Sequence, residues 1–179
     1  NTFSVGFEGA GGEKGDEFQY SDIIADHFDT NHHKIFVESS RLIDTLPQTF
    51  AAMSEPMVSY DNVGFFLLSQ EVAKHVKVVQ SGQGADEVFA GYHWYPPLAE
   101  CSNPVDEYCR VFFDRDQDEY HRVIHSGFYG DNYSKNFVRN HFAQAGAEHG
   151  VDKALRLDTT TMLADDPVKP VDNMTKAWS

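Results

Sequence analysis

Thr2-Phe-Ser-Val-Gly-Phe7 alternates apolar and polar positions, the period-2 pattern of a β-strand. Glu8-Gly-Ala-Gly-Gly-Glu-Lys-Gly15 follows as a flexible loop. From Asp16 to Phe28 the spacing predicts a helix with Phe18, Ile24 and Phe28 near one face, and acids at its start suit the macrodipole. Asn31 to Val37 predicts a second strand. Ser40 to Met53 predicts a helix, with Pro47 inside it or opening its second piece. After Glu55-Pro56, Asn62 to His75 predicts another helix that turns Val63, Phe66, Leu67 and Val72 toward a core. Val76, Val78 and Val79 then form a β-branched run suited to a buried strand over Val76–Gln80. Strand, helix, strand, helix, helix, strand predicts an α/β fold, a parallel sheet with crossover helices.

Beyond Pro96-Pro97, which ends this α/β part, strand alternation stops. Asp106 to Phe113, Asp116 to Ile124, Ser134 to Ala145 and Asp152 to Leu163 predict helices separated by turns. Ser126-Gly-Phe-Tyr-Gly-Asp131 reads as one of those turns. The expected division is therefore 1–95 as α/β and 96–179 as a mostly helical region laid against it.

Bulk properties narrow the function. A chain of 179 residues suits one domain or one domain with an appendage, and 14 Phe and 8 Tyr supply a real core. No run approaches the roughly 18 apolar residues of a membrane span, and no signal peptide opens the chain, so the expected location is the cytoplasm. Cys101 and Cys109 are too few for a disulfide framework and read as free thiols. A net charge of −14 argues against nucleic acid as a partner, because nothing neutralises a phosphate backbone. It also makes a phosphate ligand difficult unless a cation intervenes. His121 and His125 stand four apart, as helical zinc ligands do, but no Cys or third His stands at ligand spacing. They read as solvated helix residues, and His32-His33 as packing at a strand start.

The candidate chemistry lies in Val76 to Tyr92. The β-branched run is broken by Ser81-Gly-Gln-Gly84, whose glycines let backbone approach a ligand, and Asp86 and Glu87 stand where a helix should begin. Such an arrangement holds phosphate or metal–phosphate at the carboxyl ends of open α/β sheets. On spacing alone a Gly-x-Gly turn is more often a tight loop, and Asp86 an N-cap worth roughly 1 kcal/mol.

The full string is more specific. Ser81-Gly-Gln-Gly-Ala-Asp-Glu-Val-Phe-Ala-Gly-Tyr92 resembles the Ser-Gly-Glu-Gly-(Ser/Ala)-Asp-Glu-(Leu/Val)-Phe-Gly-Gly-Tyr segment of the glutamine-dependent asparagine synthetase family. Thr2–Phe7 resembles that family's adenine-lining strand. Asp16-Glu17 with Thr30-Asn-His-His33 resembles its Asp-Glu…Thr-Asp-His-His pairing, and Glu55-Pro-Met-Val-Ser-Tyr-Asp61 its Glu-Pro-Phe segment. Leu163-Ala-Asp-Asp166 and Val171 to Ser179 resemble its Leu-Pro-Asp-Asp and Val-Asp-Arg segments. Gln83 and Tyr92-His-Trp-Tyr-Pro96 resemble most the branch of N-acetylglutaminylglutamine amide synthetases. Between Pro96 and about Leu163 the resemblance is weak.

The resemblance implies an adenine nucleotide alpha hydrolase-like fold, with 1–95 a partial ATP-pyrophosphatase domain and 96–179 its helical part. It implies ATP and Mg²⁺, a small carboxylate substrate, and an upstream glutaminase domain that supplies ammonia. Asp86 falls on a magnesium ligand, Ser81, Gly82 and Gly84 on nucleotide-binding backbone, and Val5 on the adenine side. Glu87, Tyr92 and His93 are the candidates for contact with the acid substrate, and His93, Trp94 and Tyr95, which follow the signature helix start, either line that substrate or cap the core. Gln83 stands where asparagine synthetases carry Glu, in the amide-forming half of the reaction. An amide does not titrate near neutral pH, so Gln83 either positions ammonia or is merely tolerated. No Ser-Gly-Gly-x-Asp-Ser phosphate loop occurs in the chain, so the expectation is a fragment, inactive by itself. The alternative is a non-catalytic nucleotide-binding α/β module.

Overall fold

A computed structural model describes residues 1–7, 18–56, 59 and 61–179. The expected loop Glu8–Gly15, the Asp16-Glu17 pair and part of the Glu55–Asp61 segment lie outside the described residues. The chain forms two compact units, residues 1–81 with 168–179, and residues 82–167.

The first unit contains strands β1 (Thr2–Phe7) and β2 (His32–Val37), joined through helix α1 (Phe18–His27). The strands pair in parallel, with Thr2 opposite His32 and Phe7 opposite Val37, and both stand as expected. Helices α2 (Ser39–Ala52, with Pro47 inside it), α3 (Asp61–Val72) and α11 (Val168–Lys176) complete the unit. Val37, Phe66, Leu67, Val72 and Met174 are its buried core, with Trp178 packed on the Phe66 ring at 5.0 Å. Gly64 lets α3 approach β1, since a Cβ there would stand 3.0 Å from the Phe7 ring. The Ser54 N–H donates to Asn173 Oδ1 at 2.9 Å and Lys169 pairs with Glu55, tying α11 to the turn after α2.

Two expectations for this unit fail. Val76–Gln80 forms no strand; it follows α3 as irregular chain, and Val78 is 85% exposed. β-Branched residues fit a pleated surface, but a strand exists only in a ladder. Among the described residues β1 pairs with β2 alone. The face expected for α1 is also wrong. Ala25 is its buried residue, while Ile24 and Phe28 are exposed. A spacing of six places Phe18 about 120° from Ile24 around a helix, so the three never formed one stripe.

The second unit is helical: α4 (Ala85–Phe89), α5 (Tyr95–Glu100), α6 (Pro104–Phe112), α7 (Gln117–Val123), α8 (Tyr133–Phe142), α9 (Gly150–Leu157), a wide π turn (Asp158–Met162) and α10 (Leu163–Asp165). Three of the four helices expected after residue 100 stand as α6, α7 and α8, the fourth ends as α9 at Leu157 and gives way to the π turn, and Ser126–Phe128 is a short 3₁₀ turn. Pro96 and Pro97 occupy the first turn of α5, where a missing N–H costs no helical hydrogen bond. Asp116 and Glu119 form a reciprocal capping box that starts α7. Tyr95, Leu98, Tyr108, Val138, Phe142, Ala154 and Leu157 form one apolar cluster. Gly150 lets α9 approach α5, because a Cβ there would stand 2.7 Å from the Leu98 carbonyl oxygen. Arg156 donates to the carbonyls of His141, in the last turn of α8, and of Ala145 just beyond it, at 2.6 and 2.9 Å.

Candidate functional site

The glycine loop closes on a five-residue helix. Gly84 has φ +98°, in the left-handed region, and lies over the Leu163 side chain. Only glycine takes that conformation without strain. Gly84 thus begins α4, and Asp86 and Glu87 stand in its first turn, so Asp86 is not an N-cap. At the far end Ala90 is also left-handed (φ 58°), at the position where the resembled family segment has Gly. The Gly91 N–H donates to the Asp86 carbonyl at 3.0 Å. A Cβ on Gly91 would stand 2.0 Å from Asp86 Oδ1, so this glycine makes room for the Asp86 carboxylate, which is exposed.

Its neighbour Glu87 behaves oppositely. It is 1% exposed and accepts the Tyr92 hydroxyl on Oε1 at 2.9 Å, while Oε2 has no hydrogen-bond partner among the described residues. Burial, then the hydrogen bond and negative charge of Glu87, then the charges of Asp86 and Asp166 push the Tyr92 hydroxyl well above the ordinary tyrosine range. The Tyr92 ring stacks on Trp94 at 4.1 Å.

A second buried carboxylate lies one step further. Asp158, fully buried in the π turn, accepts Trp94 Nε1–H at 3.1 Å and the Tyr95 hydroxyl at 2.7 Å on Oδ2, and the Tyr108 hydroxyl on Oδ1. Burial raises its pKa and the negative charge of Glu87 adds to that, while the three donors oppose it. Trp94 and Tyr95 therefore cap the core.

Of the residues expected at the site, Gly82, Gln83, Gly84, Asp86, Glu87, Tyr92 and His93 share the second unit. Gly82, Gln83 and His93 are exposed, and the His93 ring meets Trp94 edge-on at 5.2 Å. Val5 lies half-buried on β1 opposite Ile35, and Ser81 is the last residue of the first unit's 1–81 segment. Asp158 was missed by sequence reasoning. His121 stacks on Tyr129 at 4.1 Å and His125 Nδ1 accepts the Gly127 N–H, so each has a local role. Cys101 and Cys109 are free and half-buried, as expected.

Asp86 fits one hard-oxygen position of a magnesium–phosphate group, since its carboxylate is exposed and its room is kept by Gly91. Among the described residues no three His, Cys, Asp or Glu converge as a metal cage. Any magnesium here would share its coordination with phosphate oxygens, as that ion usually does.

Comparison with known proteins defines the class. A family model described as asparagine synthase matches residues 1–179, and the chain belongs to that family. A Methanocaldococcus jannaschii protein named as a glutamine-hydrolyzing asparagine synthetase is 37% identical over 92 residues, 51% of this chain and 17% of its own length. Asparagine synthetase [glutamine-hydrolyzing] 1 of Bacillus subtilis is 32% identical over 94 residues, covering 52% and 14%. Asparagine synthetase [glutamine-hydrolyzing] of Zea mays is 26% identical over 117 residues, covering 62% and 18%. The chain thus spans less than a fifth of the length of these relatives. No solved structure matches it significantly. Among the described residues no helix is long and apolar enough to cross a membrane.

Proposed function

We propose that this chain belongs to the synthetase part of an ATP-dependent amidotransferase that converts a carboxylate to an amide with glutamine-derived ammonia. In this reading residues 1–95 supply a partial ATP-pyrophosphatase domain of the adenine nucleotide alpha hydrolase type, and residues 96–179 its helical part. A carboxylate oxygen of the substrate attacks the α-phosphorus of ATP, and the bond to pyrophosphate breaks. Ammonia then attacks the acyl carbon, the bond to AMP breaks, and one proton leaves with formation of the amide.

The observation that carries the reading is the Asp86 carboxylate, held exposed between a left-handed Gly84 and a spacer Gly91. Asp86 would hold Mg²⁺, which when bound with triphosphate offsets phosphate charge. That offset matters in a chain of net charge −14. The backbone of Ser81, Gly82 and Gly84 meets the nucleotide, and Val5 its adenine. Gln83 orients ammonia through its amide, a positioning role that needs no titration. Glu87 fixes Tyr92, whose hydroxyl is thereby occupied, so Tyr92 contributes its ring and His93 its exposed imidazole to the acid. The Gln83 and Tyr92–Pro96 signature favours a peptide-like acid, in the manner of the N-acetylglutaminylglutamine amide branch. A glutaminase domain in the same cytoplasmic protein is the ammonia source.

In the protein carrying this chain, Asp86→Asn should lower carboxylate-dependent pyrophosphate release at least about a hundredfold, the effect of losing roughly 3 kcal/mol at the transition state. Glutamine hydrolysis should be spared. Pyrophosphate release near the wild-type rate would refute the assignment.

A further inference from the structure

We propose that the second unit binds a small molecule that is apolar at one end and cationic at the other, in a cleft walled by α6 and α8. A cavity of about 560 Å³ opens beside the unit's core, walled by Tyr108, Phe112, Phe113, Phe137, Leu157 and Met162. That volume lies within the usual range of small-molecule pockets, and the aromatic lining suits an aryl or branched aliphatic group. Asp158 is the carboxylate in this wall, and both its oxygens are already occupied by Trp94, Tyr95 and Tyr108. It contributes negative potential without offering an open polar contact, which disfavours an anionic guest.

The cavity continues outward. Phe112, Phe113, Tyr133 and Ser134 also line a wider cleft of about 970 Å³, whose wall carries Asp106, Asp114, Asp116, Asp118 and Asp131. Its cations are Arg110, Arg115 and Lys135. Arg110 is engaged by Glu107 at 2.5 Å and Lys135 by Asp106 at 2.5 Å, while Asp116 is the N-cap of α7. Among the described lining residues this leaves Asp114, Asp118 and Asp131 against one remaining cation, Arg115, an excess of negative charge at the mouth of an aromatic pocket. An ammonium group there gains both the carboxylates and the faces of the surrounding rings. The fitting class is a small arylalkyl amine. This site is separate from the Asp86 loop, and it stands or falls independently of the amide-forming reading.

The test is calorimetric titration of the 179-residue chain at low salt with phenethylamine, 3-phenylpropanoate and ethylamine. Phenethylamine should bind at least about tenfold more tightly than either of the others, because only it satisfies both ends. Ser134→Trp, at an exposed position in the first turn of α8, should weaken phenethylamine about tenfold by filling the junction of the two cavities. Asp114→Asn with Asp131→Asn, both at exposed positions, should narrow the preference for the amine over the acid. Absence of saturable phenethylamine binding, equal binding of phenylpropanoate, or binding indifferent to Ser134→Trp would each overturn the proposal.

Discussion

In residues 1–81 and 168–179 the core is largely aliphatic, and two of its buried polar side chains, Thr49 and Asn62, bond within their own helix or turn. Thr49 donates to the Thr45 carbonyl four residues back, and Asn62 Nδ2 to the Ser59 carbonyl three residues back. In residues 82–167 a carboxylate sits at the centre instead, and its donors come from 50 to 64 residues away in sequence. Each of these two contacts serves one helix or the turn that leads into it, whereas Asp158 joins the start of α5, the middle of α6 and the π turn. A buried network of this kind stabilises only while complete, because a lone member would leave desolvated groups unpaired. The two units should therefore respond differently to the loss of one polar side chain and to pH.

The largest expected effect is that of Asp158→Ala. It leaves two buried tyrosine hydroxyls and an indole N–H without their acceptor, and should destabilise residues 82–167 by about 3–5 kcal/mol. Thr49→Val in the first unit removes one back-bond and should cost only about 1 kcal/mol. Native-state hydrogen exchange separates the two, since amides of α6, α8 and α9 should lose protection in the first variant and those of α3 should not. Equal losses from both substitutions would show that the polar centre carries no special weight.

Helices were more legible in the sequence than strands for a physical reason. A helix satisfies its backbone within itself, so the patterns over Asp106–Phe113 and Ser134–Ala145 sufficed to place α6 and α8. A strand needs a neighbour, so the pattern of Val76–Gln80 promised what β1 and β2 do not supply. At the site, Gly84 and Asp86 were legible from the glycine loop and the acidic helix start. The burial of Glu87 was not, because it depends on Tyr92 returning five residues later to hold its carboxylate. Asp158 was hidden inside what read as one helix over Asp152–Leu163. The run Thr159-Thr160-Thr161 was the available signal, for β-branched hydroxyl residues often bond back to the preceding turn and bend a helix. Thr159 and Thr160 do so, to Leu155 and Arg156, where the chain widens to the π turn.

A smaller effect sharpens the contrast at alkaline pH. Burial first, and then hydrogen bonds to Glu87 or Asp158, hold Tyr92, Tyr95 and Tyr108 protonated above the ordinary tyrosine range. The unfolded chain loses these protons near pH 10, while the fold retains them. The folded state then binds more protons, and stability falls as pH rises beyond about 10. Asp158 has the same sign in another window. Its raised pKa gives stability that is complete below the ordinary carboxylate value of about 4 and declines as pH rises through the folded value. Thermal unfolding of residues 82–167 should therefore move to lower temperature above pH 10, and the ring resonances of Tyr95 and Tyr108 should show ionisation only as the unit unfolds. Ionisation of either ring near pH 10 in the folded protein would contradict the burial argument.

The smallest effect concerns the first unit in acid, where the sign reverses. His33 stacks on Phe3 at 4.9 Å and faces the His75 ring at 4.3 Å. Burial, then the charges of His75, the chain's amino group and His32, lower its pKa. The unfolded chain takes up this proton first, so stability is complete above the unfolded value of about 6.5 and declines as pH falls through the lowered folded value. The ring is near the surface, so the change should be modest beside that of Asp158→Ala. His75→Gln removes the nearest competing charge and should flatten the acid loss while leaving stability near pH 8 nearly unchanged. The check is the pH dependence of β1 and β2 amide protection between about pH 5 and 8 in both proteins. An unchanged slope in His75→Gln would remove His33 and His75 from the acid response and leave the two units without their opposite signs.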